Sequence, residues 1–394
     1  MRCLFVTWFG GGNVRPIMAA ARAWQDAGGE AMILSNAALQ AQAAAAGLGF
    51  TSFSSYAAHD PGRRDRDIVR AHEGESVAAR NRIIADRLVF GPAPSIAADV
   101  AALSDAFLPQ VMLIDYTLPG AMCAAEKLAI PYLVASDTVY PLPTAAPPRP
   151  SLYASLFARM IRPELAADAR INRLRGSLGL SPWLHPEDYL RGAVETVVMS
   201  WPQLNGFPLP EKASFVGPQF APCGAPKGRH DCRLVFCSLS TIITPEQDIF
   251  LNNLLRAELP AGIELLVAGG ASTPDSAATG KVFRFVDFDA VLPRCRLMIN
   301  HAGNGTVVRA VACGVPQISV PFIQDQFESA RMLENLGVTA TLSKTASPVE
   351  IGGAIAAGLN DESRLDRARD LAAAIARSYV AGELVRKLRS AARA

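Results

Sequence analysis

Residues 283–330 read FRFVDFDAVLPRCRLMINHAGNGTVVRAVACGVPQISVPFIQDQFESA, and they decide the fold. Leu297-Met298-Ile299 is a short, bounded apolar run and predicts a buried strand. His301-Ala302-Gly303-Asn304-Gly305-Thr306 follows at once, and residues 307–313 predict a helix closed by Gly314. A strand, a Gly-rich turn and a helix N-terminus form an anion site, because N–H groups without helical partners and the helix dipole converge there. Gly303 and Gly305 let a phosphate approach the backbone, Thr306 adds a hydroxyl and His301 a ring N–H. Residues 315–321 predict a further strand. Gln324-Asp325-Gln326 then occupies the loop where an open α/β sheet binds its ligand.

Working outward, a chain of 394 residues is long for one core and suits two domains of about 200. Half of it is hydrophobic and 19% is charged, the composition of a globular protein. A net charge of +2 leaves no electrostatic footprint for nucleic acid. No apolar run approaches the roughly 18 residues of a membrane span. The start, MRCLFVTWFGGG, reads as a first strand and turn rather than a signal peptide. Seven scattered cysteines, without a secretion signal, predict free thiols and a cytoplasmic location.

Strand one is expected at residues 2–7, a glycine turn at 10–13, a helix at 14–27 and strand two at 30–35. A dinucleotide site needs a third glycine where Arg15 stands and an acidic residue where strand two ends Leu34-Ser35-Asn36, so an NAD enzyme is rejected. The charge-dense stretch 57–76 reads as a solvated loop or a lid over a ligand. Strands at 111–115 and 131–135 end at Asp115 and at Ser136-Asp137. Prolines and glycines mark 217–232 as a linker. The second domain opens with a strand at 234–239, the turn Ser240-Thr241 and a helix from Pro245. The expected organisation is an N-terminal domain at 1–216, the linker at 217–232, a second domain at 233–378 and a C-terminal helix within 379–394.

The segment 301–306, Gly314-Val315-Pro316 and Asp325-Gln326 together resemble the donor-binding signature of the family-one glycosyltransferases, the antibiotic and natural-product type. Gly12-Asn13-Val14-Arg15-Pro16 resembles that family's N-terminal turn, where Gly-His-Val-x-Pro is usual. The resemblance implies an α/β chain of GT-B architecture, two Rossmann-like domains facing across a cleft, with the acceptor side first and the tail returning to it. It implies inverting, metal-independent transfer from a nucleoside-diphosphate sugar of the dTDP or UDP type, with no cofactor. His301, Gly303, Asn304, Gly305 and Thr306, with Ser240 and Thr241, would bind the diphosphate. Asp325 and Gln326 would bind the sugar. Phe288 and Arg309 fall at nucleoside positions, although the family has a ribose-contacting Glu where Arg309 stands, and its loop before Asp289 is longer. Asp287-x-Asp289 resembles a metal pair, yet Asp289 reads better as a helix cap.

The family's general base is a His, and here it is Asn13, which takes no proton near neutral pH. Asp115 and Asp137 are the candidate replacements, with Asn13 orienting the acceptor or a carboxylate. A small, largely apolar acceptor is expected, held near Gly12, Phe90 and Tyr140. The partners are then a nucleotide sugar and that small molecule, with no nucleic acid and no membrane span; a homodimer stays compatible with the sequence. Two rivals accompany this reading: a sugar-nucleotide-binding homologue without transferase activity, and a nucleotide-sugar epimerase of the same fold.

Overall fold

A computed structural model describes residues 1–8, 12–54, 79, 82–83, 85–138, 140–144, 155, 170–205, 207–220, 233–239, 245–269, 282–283, 286–322 and 324–393. The chain forms two compact units. One comprises Met1–Ser200, Phe207–Phe220 and Val380–Ala394, the other Trp201–Gly206 and Ala221–Tyr379.

The first unit is built on a parallel sheet of β1 (Arg2–Val6), β2 (Glu30–Ser35), β3 (Gly49–Ser52), β4 (Val111–Asp115), β5 (Tyr132–Ser136), β6 (Glu195–Val198) and β7 (Ala213–Phe215). Their order is β3-β2-β1-β4-β5-β6-β7. The central strands are apolar throughout because both faces are covered. Alternation sends Leu4, Val6, Met112, Ile114 and Val134 into one core cluster. It sends Cys3, Phe5, Val111, Leu113 and Leu133 into another. Helix Val14–Asp26 closes the second cluster with Val14, Ile17, Ala20, Ala21 and Trp24, a single face at helical spacing. The C-terminal helix Glu383–Ala391 adds Leu384, Val385, Leu388 and Ala391 to the same cluster.

The second unit repeats the plan with β8 (Leu234–Ser238), β9 (Glu264–Ala268), β10 (Val282–Phe283), β11 (Cys295–Asn300), β12 (Gln317–Ser319) and β13 (Thr339–Thr341). These lie parallel in the order β10-β9-β8-β11-β12-β13. Val235, Cys237, Leu297, Ile299 and Ile318 face one cluster, Phe236 and Met298 the other. In each sheet the connections reverse direction at one place, between β1 and β4 and between β8 and β11. A crevice opens beyond the strand ends at such a point, and it is where open α/β sheets bind ligands.

Several local expectations are corrected. The helix from Pro245, expected to run to residue 259, ends at Leu255. Asp287, not Asp289, caps helix Phe288–Val291, its carboxylate accepting from the Asp289 N–H at 3.0 Å. Strands β7 and β13 were not foreseen, since three residues carry too little pattern to read. Cys3, Cys123, Cys237 and Cys295 are free and buried, whereas Cys313 is disulfide-bonded, against the expectation of free thiols. The charge-dense stretch 57–76 lies outside the described residues. Among the described residues no helix is long and apolar enough to cross a membrane.

Candidate functional site

In the second unit β11 delivers its last residue, Asn300, to the crevice, and the chain turns there into helix Asn304–Ala312. Gly303 is the N-cap, with extended backbone, and its carbonyl accepts from the N–H of Thr306 and of Val307, both at 3.0 Å. The turn carries a left-handed residue, Ala302, at φ 59°. His301 lies folded over Gly303, where a Cβ would come within 2.2 Å of Nε2 and would displace the ring. The first-turn N–H groups of the helix and its dipole favour an anion at this place. Around Gly305 a side chain would meet nothing within 4 Å, so one flank of the turn is open.

His301 Nδ1 lies 3.5 Å from the Ser238 carbonyl oxygen at the end of β8. Desolvation pulls the imidazole pKa down to about 4, against a smaller upward pull from that carbonyl. The ring is therefore neutral near pH 7. A carbonyl only accepts, so it favours the proton on Nδ1 and leaves Nε2 with the lone pair. Donation from Nε2 to a phosphate oxygen then requires a proton to arrive with the ligand or to move between the nitrogens.

Asn300 and Gln317 were not foreseen at this site. Asn300 Oδ1 accepts from the Ala302 N–H at 2.7 Å, and Asn300 Nδ2 donates to Gln317 Oε1 at 2.7 Å. The signal in the sequence was a polar residue directly after the apolar run Leu297-Met298-Ile299. Gln326 is 3% exposed, and its Oε1 accepts from the Phe322 N–H at 2.8 Å, so that oxygen shapes the loop after β12. Asp325 falls in the first turn of helix Gln324–Asn335. Its side chain, like Ser240 and Thr241, lies outside the described residues. Phe288 is half-buried and packs edge-on against Phe236, ring centroids 5.2 Å apart. Arg309 is ion-paired with Asp289, which ties helix Asn304–Ala312 to helix Phe288–Val291.

The first unit gathers Thr7, Asn13 and Asp115 at its own reversal point. Asp115 ends β4, and Asn13 precedes helix Val14–Asp26. Asn13 Nδ2 donates to Asp115 Oδ2 at 2.6 Å and lies 3.0 Å from Thr7 Oγ1 and 3.2 Å from the Trp8 carbonyl. Three oxygens around one nitrogen fix the amide's orientation. The opposite atom, Asn13 Oδ1, is buried and has no hydrogen-bond partner among the described residues.

The Asp115 carboxylate also accepts from the Thr117 N–H at 2.9 Å, the Thr117 hydroxyl at 2.6 Å and, weakly, the Thr7 hydroxyl at 3.5 Å. At 2% exposure Asp115 is buried. Burial pushes its pKa up, and these hydrogen bonds pull the other way. Asp137, just beyond β5, is half-buried. A Cβ on Gly12 would lie 3.4 Å from Asp137 Oδ2, which places this carboxylate beside the Gly12-Asn13 turn. Phe90 has no exposed surface and is part of the core, which corrects its assignment to the acceptor. Tyr140 is buried, and burial, then the Glu187 charge, push its hydroxyl up to about 12.

Two parallel α/β sheets, each with a polar constellation at its strand-order reversal, define the GT-B class of protein. Residues 262–390 match the erythromycin biosynthesis protein CIII-like C-terminal domain. Over 376 residues the chain is 24% identical to 4'-demethylrebeccamycin synthase of Lentzea aerocolonigenes, covering 87% of this chain and 88% of that protein. A shorter match, 37% identical over 86 residues, links it to the elloramycin glycosyltransferase of Streptomyces olivaceus, and covers 20% of this chain and 22% of that protein. Among solved structures, the calicheamicin glycosyltransferase superposes with a TM-score of 0.75 at 19% identity, over 99% of this chain and 98% of that one. The spinosyn rhamnosyltransferase superposes with a TM-score of 0.68 at 22% identity, over 99% of this chain and 100% of that one. The chain is similar in sequence, over its C-terminal third and more weakly over most of its length, to glycosyltransferases of the antibiotic, natural-product type, and it has their fold.

Proposed function

We propose that the protein transfers a sugar, with inversion, from a nucleoside-diphosphate sugar to a small, largely apolar acceptor whose reacting group is acidic, such as a phenol or an enol. The observation that carries this reading is the strand–turn–helix at 300–306, with His301 folded over Gly303 beside a helix N-terminus. In one displacement the acceptor attacks the anomeric carbon, the carbon–oxygen bond to the diphosphate breaks, and the leaving charge settles on the turn without a metal. A neighbouring structure of this fold supports a nucleotide ligand: the spinosyn rhamnosyltransferase has been solved with thymidine diphosphate. That enzyme has also been solved with spinosyn aglycone, which supports a small-molecule acceptor.

Asn13 cannot take the acceptor's proton, and its NH2 group is committed to Asp115. The role falls to Asp137, since Asp115 is saturated with hydrogen bonds. Asn13 Oδ1, buried and fixed in direction, is suited to accept from an O–H or N–H of the acceptor. A carboxylate base suffices for a phenol or enol and serves poorly for an aliphatic alcohol.

The test is Asp137→Asn, assayed by product formation across a panel of phenolic and enolic acceptors with thymidine- and uridine-diphosphate sugars. The expected result is a loss of at least about tenfold in kcat with donor affinity retained, about 1.4 kcal/mol of barrier. An unchanged kcat removes Asp137 as the base. Donor binding without turnover on any acceptor removes the transferase reading itself.

A further inference from the structure

We infer that Asn300 and Gln317 are positioning residues for the diphosphate turn, forming a buried amide relay that holds Ala302 left-handed and thereby places His301. This inference rests on the diphosphate reading of residues 301–306. Both amides have no exposed surface; Asn300 follows the apolar run Leu297-Met298-Ile299 and Gln317 opens β12. Met298 pairs in register with Gln317 across β11 and β12, and Asn300, two residues on, points to the same face. Gln317 Oε1 accepts from Asn300 Nδ2, and Asn300 Oδ1 accepts from the Ala302 N–H. The relay therefore ends on the one residue of the turn whose backbone an L-side chain rarely adopts.

A purely structural use of this position would be served by an aliphatic pair, because burying two amides is unfavourable unless something is gained. Gln317 Nε2 has no hydrogen-bond partner among the described residues, so within them the relay is not fully satisfied. What it delivers is a conformation. With Ala302 at φ 59°, the chain reverses between β11 and helix Asn304–Ala312, the His301 ring lands over Gly303, and adjacent N–H groups can turn towards one anion. Without the Asn300 oxygen the Ala302 N–H loses its partner and the left-handed state loses its support.

The experiment measures thymidine diphosphate and uridine diphosphate affinity by titration calorimetry, with circular dichroism melting as the control for folding. Asn300→Ala should weaken diphosphate binding by about tenfold, since a pre-organised donor set is lost. Ala302→Gly removes the need for that support, because glycine reaches positive φ without strain. The Asn300→Ala/Ala302→Gly double variant should recover to within about threefold of the parent, the signature of a shared conformational role. Parental affinity in Asn300→Ala, or a double variant no better than that single one, overturns the inference. If Asn300→Ala does not fold, hydrogen exchange on the parent protein decides: strong protection of the Ala302 amide supports the relay, and exchange as fast as at a solvent-exposed amide overturns it. Absence of diphosphate binding by the parent overturns the proposed function, and the positioning role falls with it. Parental binding with no effect of Asn300→Ala overturns the positioning role alone.

Discussion

A histidine and an asparagine carry most of the chemical argument. His301 has a folded-state pKa of about 4, set first by desolvation, against about 6.5 for an unperturbed imidazole. The folded ring stays neutral where the unfolded one takes a proton. Stability from this group is therefore fully present above about pH 6.5 and is lost as pH falls towards 4, at no more than about 1.4 kcal/mol per pH unit. The expected outcome is a melting temperature that drops between pH 7 and pH 5, with a smaller drop in His301→Gln. Equal pH dependence in the two proteins, followed by circular dichroism, would remove His301 as the source. At Asn13 the sequence, through its resemblance to the family, implied the loss of a base. It could not show that the amide hydrogens would be taken by Asp115 while the amide oxygen is left over, because that depends on three oxygens brought together from residues 7, 8 and 115.

At the scale of elements, long apolar strands and amphipathic helices were legible because each carries its own period. β1, β4, β5, β8 and β11 were all read from short apolar runs, and helix Val14–Asp26 from its spacing. β7 and β13 escaped because three residues do not make a pattern, and their pairing is set by neighbours distant in sequence. The cap at Asp287 was missed in favour of Asp289 because both residues suit an N-cap and only backbone geometry separates them. That detail changes the reading of Arg309. With Asp289 released from capping, its carboxylate pairs with Arg309 and joins helix Asn304–Ala312 to helix Phe288–Val291. The position that would meet a ribose is thus held by a donor-only guanidinium already engaged by a carboxylate, and it cannot accept from a 2′-hydroxyl. Thymidine diphosphate should then bind at least as tightly as uridine diphosphate. A clear calorimetric preference for the uridine form would count against that assignment.

At the scale of the whole molecule, each unit has its own core, and the chain's last helix belongs to the first unit. Leu384 and Leu388 are buried, and Val385 nearly so, beside Trp24, Val111, Leu113 and Leu133. Lys387 Nζ sits 2.9 Å from both carboxylate oxygens of Glu195. The Arg389 guanidinium lies 5.9 Å from the Trp24 ring centroid and donates to the Ala27 carbonyl. Burial of three aliphatic side chains at roughly 1.5–3 kcal/mol each comes to several kcal/mol, a large share of the 5–15 kcal/mol that stabilises a typical domain. The ion pair adds less, since both partners keep contact with water. A chain ending at Tyr379 should therefore lose the first unit's cooperative melting transition, or have it lowered by ten degrees or more, roughly as expected for several kcal/mol in a unit of this size. Among the described residues the second unit contributes none to that cluster, and it keeps the turn at 300–306. The truncated chain should bind thymidine diphosphate within about threefold of the parent, a change of less than 1 kcal/mol, while product formation is abolished. Calorimetric melting together with nucleotide titration checks both halves. Loss of nucleotide binding alongside the first unit would show that the diphosphate turn depends on the tail, and an unchanged melting profile would show that the apolar face of helix Glu383–Ala391 contributes little to stability.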